Sequence, residues 1–210
     1  MFIINSNDMK TWKRYVDYLS SAEWHIHTKY SDGMDDIKDY CQRAVDIGIP
    51  LVAFTEHVRK NLTYDFHSFL EDLEAAREEF DLIILSGCEA KVLPDGDLDV
   101  DERVLKAVDY PIFSFHSFPD DLQLYVRCLK TALKNPYVNA WAHPGTLSGR
   151  RVDLPDMALK EIFRLMREKE VLLEINRKYE LPIEKWLQMA RICDVKTVKG
   201  ADIHRIEDMR

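Results

Sequence analysis

The chain carries the stretch WHIHTKYSDG at residues 24–33, in which a short apolar run ends in two histidines. His25 and His27 alternate with apolar residues, and Asp32 follows them closely. Imidazole and carboxylate groups are the usual protein ligands of Zn, Mn and Fe. A cluster of such groups at the end of an apolar run predicts a buried strand that delivers metal ligands at its end.

The same arrangement recurs along the chain, with helical patterns between successive apolar runs. The predicted strands are Glu23–His27, Pro50–Thr55, Leu82–Ser86, Pro111–Phe115, Val138–Ala142, Val171–Ile175 and Thr197–Ala201. Strand–helix alternation of this kind predicts an α/β fold with a parallel sheet. Seven units with this spacing suit a small, distorted (β/α)7 barrel of the TIM-like type.

Histidines and carboxylates lie at the carboxyl ends of nearly all the predicted strands, where (β/α) barrels carry their chemistry. An open doubly wound sheet would gather its ligands at one crevice instead, so the pattern favours a closed barrel. The candidate metal ligands are His25, His27, Asp32, His57, Glu89, His116, His143, Asp202 and His204.

A single histidine at a strand end is more often structural than a ligand. A packing role does not explain six histidines that recur at the same end of successive strands. The seventh, His67, opens a helical pattern and is expected on the surface. Nine donors are too many for one ion, which takes about four to six, so the pattern predicts two or three divalent transition metals, Zn, Mn or Fe. Such clusters are typical of hydrolytic enzymes.

The length of 210 residues and the 46% hydrophobic content allow one domain with a substantial core. We predict a barrel domain over residues 23–210. Residues 1–22 are predicted to form a separate helical extension, with an amphipathic helix that plugs or flanks the lower end of the barrel. The residues that share one side of this helix are Met9, Trp12, Tyr15, Val16 and Leu19.

The net charge of −8 disfavours a broad surface that binds nucleic acid without specificity. The four cysteines lie singly in apolar patterns, which is typical of a reducing compartment. No basic segment followed by a long apolar one marks a signal peptide, and no run reaches transmembrane length. These features predict a cytoplasmic protein with no membrane partner.

The motifs resemble those of the polymerase and histidinol phosphatase (PHP) family. The matching pieces are HIHTKYSDG, FTEH, GCEAKVLPDG, FHS, AHPG, LEIN and GADIHR, which occur in the order found in the family and run from His25 to Arg205. Each motif alone is weak, but the ordered series is specific. The resemblance implies a distorted (β/α)7 barrel, in agreement with the strands counted above.

The resemblance also implies that all nine candidate ligands carry over and that Glu89 bridges two metals. Glu56 stands where many relatives have aspartate, and it is expected to position a ligand. The implied activity is hydrolysis of a phosphate ester, in which the metals lower the pKa of the attacking water. Arginines are expected to grip the phosphoryl oxygens. Arg177 and Arg205 are the catalytic candidates, and Arg150, Arg151 and Asn176 are the substrate-binding candidates.

Three functions are open at this stage. The favoured one is a phosphatase that acts on a small phosphomonoester, of which histidinol phosphate is the family's best-known example. The second is a phosphodiesterase or 3'-5' exonuclease, because GCEAKVLPDGDLDVDERVL followed by FHS resembles the PHP domain of family-X DNA polymerases. The acidic loop 95–101 would repel a nucleic-acid backbone, so nucleic acid is the less favoured partner. The third is a metal-binding module without activity, which the complete ligand set disfavours.

Overall fold

The computed structural model describes residues 10–147 and 150–210. Seven parallel strands form one sheet in the order β1-β2-β3-β4-β5-β8-β9. Their bounds are β1 Glu23–Ile26, β2 Leu51–Val58, β3 Ile83–Lys91, β4 Tyr110–Ser114, β5 Ala140–Trp141, β8 Leu172–Asn176 and β9 Thr197–Gly200. Two short strands, β6 Thr146–Leu147 and β7 Arg150–Arg151, pair separately as an antiparallel hairpin.

Helices surround the sheet: α1 Ile37–Asp46, α2 Phe66–Glu79, α3 Glu102–Ala107, α4 Leu122–Ala132, α5 Asp156–Glu168 and α6 Glu184–Ile192. Aspartates cap the N-termini of helices α2, α3 and α4 by accepting hydrogen bonds from free backbone N–H groups of the first turn. Asp65 accepts from His67 N and Ser68 N, and Asp121 caps α4 in the same way. Asp101 caps α3 through Arg103 N.

The sheet is nearly closed, because the segment after β9 returns to β1. His27 N donates to Ile203 O at 2.8 Å, and Ile203 N donates to His25 O at 2.9 Å. The predicted distorted (β/α)7 barrel is therefore confirmed, and all seven predicted strands are present. Strands β2 and β3 run further than predicted, so His57 and Glu89 lie inside them instead of after them.

Side chains alternate between the barrel interior and the surrounding helices, as the two-residue period of a strand requires. In β2, Leu51 and Ala53 join an interior cluster to which all seven strands contribute, whereas Val52 and Phe54 pack toward the helices. The interior half near the strand N-termini is therefore apolar. The same alternation continues toward the C-termini of the strands. There it brings polar side chains, His57 among them, into the other half of the interior, called the upper half below.

The described part of the N-terminal extension is helical, but the helix is of the 3-10 type and is interrupted. Residues Thr11–Tyr18 form 3-10 helix with a break at Tyr15, whose φ of −123° is not helical. Trp12 is buried in the interior cluster, and its Nε1 donates to Glu170 O at 3.1 Å. This segment therefore packs at the end of the barrel opposite the histidines. Met9 lies outside the described residues.

Helix α3 and the β6–β7 hairpin have no counterpart in the sequence prediction. Both are too short to show a hydrophobic period, since α3 has six residues and each hairpin strand has two. Among the described residues, no helix combines the length and apolar character needed to cross a membrane.

Candidate metal centre

Glu89 lies at the centre of the upper half of the barrel. It follows Leu85 by four residues in β3, so it shares the inward direction of that core residue. Its Oε1 lies 2.9 Å from His143 Nε2 and 3.2 Å from His116 Nε2. One carboxylate oxygen therefore contacts histidines that follow two different strands.

The second oxygen of Glu89 faces a different group of histidines. Glu89 Oε2 lies 3.0 Å from His57 Nδ1, 3.5 Å from His27 Nε2 and 3.6 Å from His25 Nε2. The carboxylate thus stands between two sets of rings, which is the geometry that a bridging ligand requires.

Asp202 and Asp32 close the cluster on the side of β1 and β9. Asp202 Oδ1 lies 3.1 Å from His27 Nε2. Asp32 contacts His204 Nε2 at 3.3 Å and His57 Nε2 at 3.4 Å. Asp202 has a φ of +50°, an uncommon value for a residue other than glycine, and such strained backbone is frequent at functional sites.

The donors form three overlapping groups, each compact enough to hold an ion. They are His27–Asp32–His57–His204, His25–His27–Asp202 and His57–Glu89–His116. His27 and His57 belong to two groups each. His143 is in none of the three, but it joins the cluster through its contact with Glu89. The structure therefore brings together all nine residues that the sequence singled out.

Three polar atoms in this cluster are buried without a hydrogen-bond partner: His27 Nδ1, His57 Nδ1 and Glu89 Oε2. Buried polar atoms are nearly always paired, so these orphaned atoms, two of which face each other at 3.0 Å, call for an explanation. Divalent metals explain them, because imidazole nitrogen and carboxylate oxygen are the donor types that Zn, Mn and Fe accept. The residues present fit such ions.

Several of these rings are held by a bond on the nitrogen that points away from the cluster. His25 Nδ1 lies 2.7 Å from Glu174 Oε1, and His143 Nδ1 lies 3.2 Å from Thr146 Oγ1. His204 Nδ1 lies 2.9 Å from Asp202 O. Metal-binding histidines are typically oriented by such bonds, which leave the other nitrogen free for the ion.

The electrostatics of the cluster are dominated by its carboxylates. Burial disfavours the charged form of His57, but the adjacent carboxylates of Asp32 and Glu89 raise its pKa to about 10. Burial lowers the pKa of His27 to about 4. Burial also opposes ionisation of Asp202, yet the nearby His27 and His25 hold its pKa below the usual range. Metal ions compete with protons in such a site, because imidazole must be deprotonated to bind them.

The loop that carries Asp32 is held in place by the buried side chain of Glu56. Glu56 is fully buried and accepts hydrogen bonds from Thr28 N at 2.9 Å and from Ser31 Oγ at 2.5 Å. Gly33 passes so close to the strand that a Cβ atom there would lie 2.2 Å from His27 O. Glu56 therefore contacts the loop of a predicted ligand, in the positioning role expected for it.

A cleft of about 410 Å³ opens beside the histidine–carboxylate cluster. It is lined by Thr146, Arg150, Arg151, Arg177, Lys178, Tyr179, Glu180 and Leu181. Thr146 touches His143, and Lys178 Nζ lies 2.8 Å from Asp202 Oδ2 and 3.2 Å from His204 Nδ1. The cleft is therefore continuous with the cluster and carries several positive charges.

The cleft includes three of the four predicted arginines. Arg151 donates to Tyr179 O at 2.9 Å, Arg150 pairs with Asp120, and Arg177 donates to Asp208 O at 2.7 Å.

The other two predicted substrate contacts are placed differently. Arg205 is exposed before the last 3-10 helix, and its side chain forms no hydrogen bond or ion pair within residues 10–147 and 150–210. Asn176 is 1% exposed, and its Nδ2 donates to Glu174 Oε2 at 3.0 Å. The assignments of Arg205 and Asn176 to the substrate stay predictions.

Sequence reasoning missed Lys178 and Glu174. Lys178 follows Arg177 directly, but only the arginine was predicted, because guanidinium groups bind phosphate particularly well. Glu174 occurs in the quoted LEIN motif, but its strand seemed to end without a ligand. The alternation of β8 was the available signal: Leu172 faces the interior, so Glu174 does too.

Comparisons with known proteins agree with this geometry. The PHP domain family model matches residues 23–178. A DNA polymerase/3'-5' exonuclease from Bacillus subtilis is 33% identical over 97% of this chain, which spans 38% of the polymerase's length. A protein from Clostridium acetobutylicum named "Probable phosphatase" is 28% identical, over 86% of this chain and 77% of its own length.

Among solved structures, a histidinol phosphate phosphatase from Lactococcus lactis in complex with zinc, L-histidinol and phosphate has the same fold. The TM-score is 0.70 at 18% identity, and the match covers 89% of this chain and 88% of that one. The fold and the family match confirm the barrel and the family that the motifs predicted. The chain belongs to the PHP domain family.

Proposed function

We propose that the chain hydrolyses a small phosphomonoester with two or three transition metals held by the nine clustered donors. The observation that carries the proposal is the position of Glu89, between two sets of histidines and next to a cationic cleft. The volume of the cleft, about 410 Å³, is in the range of small-molecule pockets. The zinc, histidinol and phosphate bound by the Lactococcus lactis phosphatase support the same substrate class.

In this proposal the residues of the cluster bind the metals and the residues of the cleft bind the substrate. Divalent metals, when bound, supply positive charge to the phosphoryl oxygens and activate the attacking water. His25, His57 and Glu89 are among the residues that would hold the ions. Lys178 and Arg177, on the cleft side, donate hydrogen bonds to the phosphoryl oxygens and orient the ester for in-line attack.

A screen of purified protein tests this proposal. Zinc and manganese are added separately, and the substrates are histidinol phosphate, p-nitrophenyl phosphate and bis-p-nitrophenyl phosphate. We expect metal-dependent release of phosphate from at least one monoester, with a higher kcat/KM than for the diester. Preference for the diester would contradict the monoesterase proposal.

The second candidate is a phosphodiesterase or 3'-5' exonuclease. Two observations favour it: the 33% identity to the polymerase/exonuclease, and the cationic cleft that runs on from the cluster. The acidic loop weighs less against it than the sequence suggested, since Asp99 lies 3.8 Å from Arg59 Nε and accepts from Lys60 N at 3.2 Å. A single-stranded oligonucleotide labelled at its 5' end belongs in the same screen. Stepwise shortening that exceeds monoester hydrolysis would favour this candidate.

A further inference from the structure

Glu174 occupies the barrel interior directly below the predicted metal ligands. It is 3% exposed, and no positively charged lysine or arginine pairs with it within the described residues. Its Oε1 lies 2.7 Å from His25 Nδ1. A buried carboxylate that contacts the far side of a predicted ligand ring has the geometry of a group that orients that ring.

The other oxygen of Glu174 accepts from two more donors. His143 N donates to Oε2, and Asn176 Nδ2 donates to the same atom at 3.0 Å. His143 has a φ of +29°, so its backbone lies outside the regions that side-chain-bearing residues prefer. The bond from its N–H group holds this backbone in place. One carboxylate therefore ties the first predicted ligand strand to the loop that carries another ligand.

The number of donors explains why the side chain is a carboxylate. His25, His143 and Asn176 all point N–H groups at Glu174, and an ionised carboxylate offers acceptor sites on both oxygens. An amide of the same shape offers one acceptor oxygen and places an NH₂ group against the remaining donors. Glutamine at this position would therefore leave a buried donor unpaired or shift the His25 proton to Nε2, the nitrogen that faces the cluster.

Gly200 on the neighbouring strand provides the space for this side chain. A Cβ atom on Gly200 would lie 2.0 Å from Glu174 Oε1 and 2.8 Å from Glu174 Cδ. No backbone atom is among the three nearest contacts. An alanine at position 200 would therefore be accommodated by moving the Glu174 carboxylate away from His25, with the barrel backbone unchanged.

We propose that Glu174 is a positioning residue for the metal centre, and that Gly200 is required because Glu174 must reach His25 and His143. The Glu174 carboxylate holds the Nδ1–H tautomer of His25, so that Nε2 faces the cluster with a free lone pair. This proposal rests on the metal centre of the proposed function. Glu174 and Gly200 would then control the affinity for metal although neither residue is a ligand.

The test measures zinc affinity by competition with a chromogenic chelator, for wild type, Glu174→Gln, Glu174→Ala, Gly200→Ala and the Glu174→Ala/Gly200→Ala double variant. Circular dichroism checks the fold of each protein. Glu23→Gln is the matched control, since Glu23 is equally buried in β1 but forms no hydrogen bond to a histidine within the described residues.

We expect each single variant at Glu174 and Gly200 to bind zinc about 10- to 100-fold more weakly, as is usual when a partner of a ligand histidine is lost. In the Glu174→Ala background, Gly200→Ala should change the affinity less than about twofold, because no carboxylate remains to be displaced. Glu23→Gln should bind like wild type.

Folded variants with wild-type zinc affinity would overturn the positioning role. An equal loss from Gly200→Ala with and without Glu174 would overturn the link between the two residues. A wild-type chain that binds no zinc or manganese would instead overturn the proposed metal centre, and this proposal with it. If Glu174→Ala does not fold, the contrast between Gly200→Ala and Glu23→Gln still decides the positioning role.

Discussion

At the scale of single residues, Glu89 has the contacts that define the site. It is fully buried among five histidines, and its two oxygens face different rings. A buried carboxylate in this position costs free energy unless cations or protonated rings compensate its charge. Divalent ions in the cluster would offset the free-energy cost of burying the Glu89 carboxylate.

Replacement of Glu89 or His57 by alanine should abolish most of the activity with little effect on the fold. His57 belongs to two of the donor groups and Glu89 faces histidines through both of its oxygens, so we expect kcat/KM to fall by about 100-fold or more, equivalent to roughly 3 kcal/mol. Steady-state kinetics and circular dichroism measure the two effects. His67→Ala is the control, because His67 is exposed on α2 beside Glu71. A Glu89→Ala variant with wild-type kcat/KM would rule out the bridging role.

Lys178 and Arg177 are expected to act on the substrate without holding metal. Alanine at either position should lower kcat/KM by about 10- to 100-fold, the size of a lost hydrogen bond to a charged group, roughly 1.5–3 kcal/mol. Metal content should stay at the wild-type value. Arg205→Ala tests the remaining sequence prediction in the same assay, and Arg164→Ala, an exposed residue of α5, is the control. Wild-type kinetics for Lys178→Ala, Arg177→Ala and Arg205→Ala together would remove the cationic cleft from the mechanism.

At the scale of elements, the barrel strands combine an apolar lower half with a polar upper half. In β3, Leu85 lies in the interior cluster and Glu89 lies four residues above it on the same side. The sequence predicted candidate ligands at the carboxyl ends of the strands, because (β/α) barrels carry their chemistry there. The β6–β7 hairpin was not predictable, because two-residue strands carry no period, yet it contributes Arg150 and Arg151 to the cleft.

The N-terminal 3-10 helix should matter for stability and not for metal binding. Trp12 is 4% exposed and packs at the end of the barrel away from the histidines. Trp12→Ala should lower the free energy of unfolding by about 3–5 kcal/mol, as large-to-small core replacements do. Urea unfolding measures the loss, and zinc titration of the folded variant should match wild type. A stability change below about 1 kcal/mol would mean that the segment is not part of the core.

At the scale of the whole molecule, a chain with a net charge of −8 concentrates six of its seven histidines at one end of a barrel. Bound divalent ions would reverse the local charge and draw a phosphate into the adjoining cleft. The clustering of the nine donors and the barrel were predictable because both depend on residues at regular strand positions. The contacts of Glu174 and Lys178 depend on how β8 and β9 pack together, which sequence spacing alone does not specify.

The most direct test of the metal centre is the number of metal ions per chain. Elemental analysis would be performed on protein purified without chelators, and again after reconstitution with zinc or manganese and removal of free metal. Because the donors form three overlapping groups, we predict two or three equivalents per folded chain. A folded chain that retains one equivalent or fewer under both conditions would contradict the account.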